Sequence, residues 1–265
     1  MAGIDQVNAM FAQEGRIAAF MPYFPVGYPD LATSIDIMTA LAESGADAIE
    51  VGVPFSDPLA DGPTIQAATQ RALQNGTRLS DCLTAMQTLR ARGVSIPLML
   101  MSYANPLMAY GYDKLVADAT AAGASGFIVP DLPVDEAEVF QTATEAHGAA
   151  LAHFLAPTSS PSRIALAAER ARGFIYLVSV AGVTGERTEL PPDLKDFIER
   201  VRRVAQQPLV VGFGINTPEK ARAVGDIADG IIIGSKLIRL AEESPQQVVA
   251  FAQAVINALQ VNQAQ

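Results

Sequence analysis

Short apolar runs rich in β-branched residues recur along this chain, each followed by a turn and then by helix-period patterning. Eight can be read as strands: Arg16 to Phe24, Ala48 to Val51, Ile96 to Ser102, Phe127 to Val129, Ala150 to Leu155, Phe174 to Ser179, Leu209 to Gly212 and Gly230 to Ile233. Parallel neighbours need a crossover, so strands alternating with helices predict a parallel sheet. Eight such units in 265 residues fit one (β/α)8 TIM barrel, for which about 250 residues is typical. No composition shift or linker marks a second unit, so residues 1–265 are expected to form one domain. Between the strands, Leu31, Ile35, Met38 and Ala42 recur at helical spacing, and Gly45 stops that helix. Ser160-Pro161 and Ser244-Pro245 read as helix starts, with serine as the cap and proline in the first turn. An extra amphipathic helix, Ile4 to Gln13, precedes the first strand and is expected to close the N-terminal end of the barrel.

Composition narrows the partners. Half of the residues are hydrophobic, enough for a large core, and the formal net charge is −10 with no basic run. Nucleic acid and anionic membranes are therefore poor partners. The single cysteine, Cys82, sits among apolar helical neighbours and reads as core. With no disulfide framework, no spanning apolar run and no signal-peptide pattern in Met1 to Gln6, the expected location is the cytoplasm.

The stretch from Ala48 to Thr64 concentrates the chemistry. It runs from strand through a glycine- and proline-broken turn into a helix, and barrel active sites lie where strands end and loops begin. Glu50 falls inside the strand, on the face opposite Ile49 and Val51. Parallel strands are buried on both faces, so this carboxyl group is desolvated and its protonated form favoured. The alternatives are a proton donor usable near neutral pH and a glutamate neutralised by a buried cation. No Lys or Arg falls in a predicted strand interior to be that cation. Asp61, at the far end of the loop, is a second carboxylate in a different solvent environment, so the two can hold different protonation states. Asp57, in Ser56-Asp57-Pro58, fits turn chemistry as well as function. The two histidines read as structural: His147 ends a helix, and His153 is a core or pocket residue in a strand.

The last strands point to phosphate. The seventh runs into Gly212-Phe213-Gly214-Ile215, and the eighth into Gly234-Ser235-Lys236-Leu237-Ile238, a candidate short helix. Barrels often bind phosphate there with backbone N–H groups and a helix N-terminus. Lys236 either adds charge to such a site or points to solvent. Val180 to Pro192, with Gly182 and Gly185, is long enough to be a functional loop or lid. Among reactions of phosphorylated substrates, a Schiff-base aldolase needs a strand-end lysine. Lys114, Lys195 and Lys220 are not so placed, and only Lys236 comes near. A metal-dependent aldolase or epimerase needs a ligand set richer in histidine, and no metal site is expected. Carboxylate acid–base chemistry remains, including retro-aldol cleavage if the leaving carbon can be protonated, as in an electron-rich aromatic ring.

The run Glu50-Val51-Gly52-Val53-Pro54-Phe55-Ser56-Asp57-Pro58-Leu59-Ala60-Asp61-Gly62-Pro63-Thr64-Ile65-Gln66 resembles the signature of the tryptophan synthase alpha subunit family. The likeness extends through Met101 to Pro106, Tyr176 to Ser179, Gly182 to Gly185, Gly212 to Ile215 and Gly234-Ser235. It implies a lyase that cleaves indole-3-glycerol phosphate to indole and glyceraldehyde 3-phosphate in tryptophan biosynthesis. By that likeness Glu50 protonates the indole carbon, Asp61 holds the indole N–H, and Tyr176 packs beside Glu50. Tyr23, Met101, Ile128, Phe154 and Phe213 would line the indole pocket. Gly185, Gly214, Gly234 and Ser235 would hold the phosphate, and Thr184 and Arg187 would belong to the lid. The resemblance also implies a beta subunit partner in an α2β2 heterotetramer, met through Asp57, Pro58 and Asn105. Pyridoxal phosphate would belong to that partner and none to this chain. Where some relatives carry arginine before Gly182, this chain reads Val180-Ala181. The alternatives are a stand-alone indole-releasing lyase, a non-catalytic docking protein and a metal-dependent epimerase.

Overall fold

A computed structural model describes residues 1–178, 191–212 and 214–261. Its first half runs α1 (Gly3–Met10), β1 (Ala19–Pro25), α2 (Leu31–Glu43), β2 (Ile49–Gly52), α3 (Pro63–Gln74), α4 (Leu79–Ala91) and β3 (Leu98–Met101). Then come α5 (Ala104–Tyr110), α6 (Tyr112–Ala121), β4 (Gly126–Ile128), α7 (Glu138–Ala146), β5 (Ala150–Leu155) and α8 (Pro161–Arg170). The chain ends with β6 (Ile175–Val178), α9 (Leu194–Arg202), β7 (Leu209–Gly212), α10 (Pro218–Gly225), β8 (Gly230–Ile233), α11 (Ser235–Glu243) and α12 (Pro245–Ala258). All eight strands are parallel to their neighbours, and β8 returns to pair with β1, closing the barrel. The expected TIM barrel, its N-terminal helix and the helix after the eighth strand are all present.

Local chemistry accounts for the helix starts. The side chains of Asp30, Ser160, Thr217 and Ser244 accept backbone N–H groups at the starts of α2, α8, α10 and α12. In α3, α8, α10 and α12 a proline occupies the first turn, where the missing N–H has no helical acceptor to lose. The strands are buried almost throughout, including the fully buried Phe20, Phe24, Phe127 and Phe174. At the N-terminal end, α1 closes the barrel. The Ile4 N–H donates to Gly148 O at 2.9 Å, the Ser125 hydroxyl donates to Gln6 Oε1 at 2.7 Å, and Phe11 meets Phe174 edge-on. Among the described residues, no helix is long and apolar enough to cross a membrane.

Several limits shift by one to three residues, as at α1, β2, β3 and β4, and two further readings differ. Strand β1 starts at Ala19, not Arg16, because Arg16 turns to pair with Asp47 and donate to Gly45 O. The segment after β3 is helical from Ala104, with Pro106 in the first turn of α5, and α6 follows directly after Gly111.

Residues alternate between the barrel interior and the helical layer. Phe154 faces inward, so His153 faces the helices. It is 2 % exposed, and its Nε2 has no hydrogen-bond partner among the described residues. Burial, reinforced by the charges of Arg170 and Arg172, lowers its pKa from 6.5 to about 4. Between those values the unfolded chain holds the extra proton, so stability falls as pH drops from 6.5 toward 4. His153→Leu should remove up to about 3 kcal/mol of that acid sensitivity. Urea unfolding at pH 7 and pH 4.5 checks this, and an unchanged difference between the two pH values would contradict it.

Candidate active site

The cavity at the C-terminal ends of the strands measures about 1120 Å³, at the upper end for small-molecule sites. Strand register decides what reaches it. Tyr23 pairs with Glu50, and Phe154 with Tyr176, and all four side chains line the cavity with Met101. Ile128 lies on the same inward row, paired with Met101. It is fully buried and does not line the cavity.

Tyrosines fit in so narrow a barrel because glycines face them. A Cβ on Gly52 or Gly234 would run into the Tyr23 ring, and one on Gly212 would run into the Tyr176 ring and hydroxyl. Tyr176 also stacks on Phe154, with centroids 4.4 Å apart. The wall beside Glu50 is therefore aromatic.

Glu50 is 2 % exposed, and its Oε2 has no hydrogen-bond partner among the described residues. Burial, with a smaller contribution from the negative charge of Asp61, raises its pKa from 4.5 to about 8. Asp61 is raised by burial to about 6, with the hydrogen bond from Tyr103 opposing the rise. At neutral pH one cavity thus holds a protonated carboxyl and an ionised one. That pairing lets a site donate a proton while stabilising positive charge. Tyr103 was not singled out by the sequence reading. Its hydroxyl donates to Asp61 Oδ2 at 2.9 Å and accepts from the Ala60 N–H at 3.1 Å. The available signal was its place just after a strand end, within the Met101 to Pro106 run.

Across the cavity, Gly214 has φ +78°, and Gly234 caps the nine-residue α11, which begins at Ser235. All three line the cavity, as does Arg239 one turn further along α11. Lys236 also borders the cavity, but its Nζ lies 5.9 Å above the Phe251 ring of α12. Thr184, Gly185, Arg187 and Phe213 lie outside the described residues. Asp57 and Asn105 are exposed and Pro58 is half-buried, all on segments at the rim. Among the described residues, no group of three or more His, Cys, Asp or Glu is arranged to hold a metal ion.

A buried carboxyl with a raised pKa leaves a stability signature. The folded chain binds more protons than the unfolded one between pH 4.5 and 8, so the stability present below pH 4.5 is lost as pH rises toward 8. Glu50→Gln should therefore be more stable than the parent at pH 8.5, by on the order of a few kcal/mol, and nearly equal to it at pH 4.5. Urea unfolding at both pH values checks this. A mutant equal to the parent at pH 8.5 would contradict the burial argument.

Comparisons with known proteins identify the family and match the fold. Residues 10–264 match the family model described as tryptophan synthase alpha chain. A tryptophan synthase alpha chain of Chloroflexus aggregans is 47% identical over 260 residues, covering 98% of this chain and 97% of that one. One from Synechococcus elongatus is 43% identical over 251 residues, covering 94% of each. Among solved structures, a chain of Mycobacterium tuberculosis tryptophan synthase superposes with TM-score 0.88 at 38% identity, covering 98% of this chain and 97% of that one. The alpha subunit from Legionella pneumophila gives 0.88 at 35% identity, covering 98% of both. The chain belongs to the tryptophan synthase alpha chain family, the carbon–carbon lyases that cleave indole-3-glycerol phosphate in tryptophan biosynthesis.

Proposed function

We propose that Glu50 and Asp61 divide the work of this retro-aldol cleavage. Glu50, protonated, gives its proton to the indole carbon that carries the glycerol phosphate chain. The ring becomes a positively charged indolenine, and the ionised Asp61 accepts its N–H and stabilises the charge. Glu50, now a carboxylate, takes the proton of the adjacent glycerol hydroxyl. The carbon–carbon bond breaks, its electrons return to the ring, and the hydroxyl carbon becomes the aldehyde of glyceraldehyde 3-phosphate. Indole leaves, Glu50 is again protonated, and no other reactant is consumed. The observation that carries this assignment is that one cavity holds two carboxyl groups in different surroundings, Glu50 buried with Oε2 unpartnered among the described residues and Asp61 on a loop with a hydrogen bond from Tyr103.

The remaining roles follow the same reading. Tyr176 keeps Glu50 desolvated, while Tyr23, Met101, Phe154, Phe213 and Ile128 form or back the apolar surface around the indole ring. The phosphate takes backbone N–H groups at Gly185, Gly214, Gly234 and Ser235, helped by the dipole of α11. Thr184 and Arg187 belong to the segment that closes over it. Asp57, Pro58 and Asn105 face a tryptophan synthase beta subunit in an α2β2 heterotetramer that works in the cytoplasm. The partner carries pyridoxal phosphate, and this chain has no cofactor of its own.

The test is indole release from indole-3-glycerol phosphate by the parent chain, Glu50→Gln and Asp61→Asn, each with and without a beta subunit. Parent activity should rise with the partner, and either substitution should lower the rate roughly 10²- to 10⁴-fold. Full activity in Glu50→Gln would overturn the assignment. Parent activity indifferent to a beta subunit would favour a stand-alone lyase.

A further inference from the structure

The loop from Val53 to Gly62 carries Asp61 at its inner end and exposes Leu59, 90 % accessible, at its tip. Its own backbone bonds are few and short in reach: the Leu59 N–H donates to Asp57 O, and the Asp61 N–H to Pro58 O. The Val53 N–H donates to Met101 O at its start, and the Gln66 side chain donates to Asp61 O at its end. Its outer part is held by a buried side chain, Tyr103, which is 2 % exposed. The ring lies 5.4 Å from that of Phe55, at the start of the loop. The hydroxyl takes the Ala60 N–H and gives its proton to Asp61 Oδ2, at the end of the loop. Tyr103 itself cannot drift. It is the residue before α5, whose first N–H, that of Ala104, donates to Asp131 Oδ1 at 2.7 Å. On the outer side of the same two segments lie Asp57, Leu59, Asn105 and the 62 % exposed Met108.

We propose that Tyr103 is a positioning residue for Asp61, aiming the carboxylate into the cavity and passing displacements of the outer rim to it. This rests on the assignment of Asp61 to the reacting ring and of the rim to a beta subunit. A hydroxyl that binds two consecutive loop residues fixes both the position of the backbone and the direction of the carboxylate. A partner pressing on Leu59 or on α5 moves one anchor of that pair relative to the other. Among the described residues, Glu50, Tyr23, Tyr103 and Tyr176 feel the charge of Asp61. Of these, Tyr103 donates a hydrogen bond to its carboxylate, one that favours the ionised form.

Tyr103→Phe tests this, since it keeps the ring against Phe55 and removes only the hydroxyl. Indole release should fall roughly 10- to 100-fold, the scale of a misaimed catalytic group, mainly in kcat and less in KM. The acidic limb of the kcat profile should move to higher pH, because the hydrogen bond that favours the carboxylate is gone. Stimulation by the beta subunit should shrink. The decisive arm is the double-mutant cycle with Asp61→Asn. If Tyr103 works through Asp61, adding Tyr103→Phe to Asp61→Asn should lower the rate little further. An equal fold-loss in both backgrounds, or an acidic limb and partner response like those of the parent, would overturn the proposal. Asp61→Asn alone keeps the two claims apart: if it retains full activity, the role of Asp61 fails first.

Discussion

The site depends on a carboxyl group held in the apolar interior of a closed parallel barrel. Removing Glu50 from water disfavours its charged form, and with Oε2 unpartnered among the described residues, no hydrogen bond there offsets the loss. A strand whose only task was packing would carry an apolar residue at that position. The barrel keeps the group because the neighbouring strands are positioned to surround it. Register sets Tyr23 beside it, and the Phe154–Tyr176 stack forms another part of the same wall. The glycines at positions 52 and 212 leave the volume those rings need.

Asp61 completes the arrangement by being different. It sits on a loop rather than in a strand, keeps some access to water, and receives a hydrogen bond from Tyr103. Two carboxyl groups thus favour different protonation states within one cavity through environment alone. The proposed phosphate side, at the ends of β7 and β8, offers backbone N–H groups and the dipole of α11, with Arg239 in the same wall and Lys236 turned toward Phe251. The proposed acid chemistry and anion binding are therefore separated across the mouth of the barrel. A cation close to Glu50 would have favoured its ionised form and undone the proton donor.

Much of this was legible in the chain because it is locally anomalous. A glutamate within an apolar strand and an aspartate eleven positions later stand out against their neighbours. Strands β5, β7 and β8 have the expected limits, since turn residues or glycine bound them. What was not legible depends on distant residues. Arg16 reads as strand until Asp47, far along the chain, draws it out. Pro106 reads as a loop marker, although a proline in the first turn leaves a helix intact. Gly52 and Gly212 read as a turn breaker and part of a phosphate loop, whereas each is also room for a tyrosine on another strand. Tyr103 carries no anomaly of its own, and its importance lies in a bond to a loop more than forty positions earlier. Ile128 takes the expected inward row, but its depth in the barrel keeps it out of the cavity wall.

The most direct test is the titration of the two carboxyl groups in the folded chain, followed by ¹³C NMR with side-chain-labelled glutamate and aspartate. Glu50→Gln and Asp61→Asn identify the two signals. Glu50 should titrate near 8 and Asp61 near 6, so that at pH 7 the first is mostly protonated and the second mostly ionised. In Asp61→Asn the Glu50 signal should move to lower pH, because a like charge has been removed. A Glu50 signal that titrates near 4.5, the ordinary glutamate value, would leave the site without its proton donor and contradict the account.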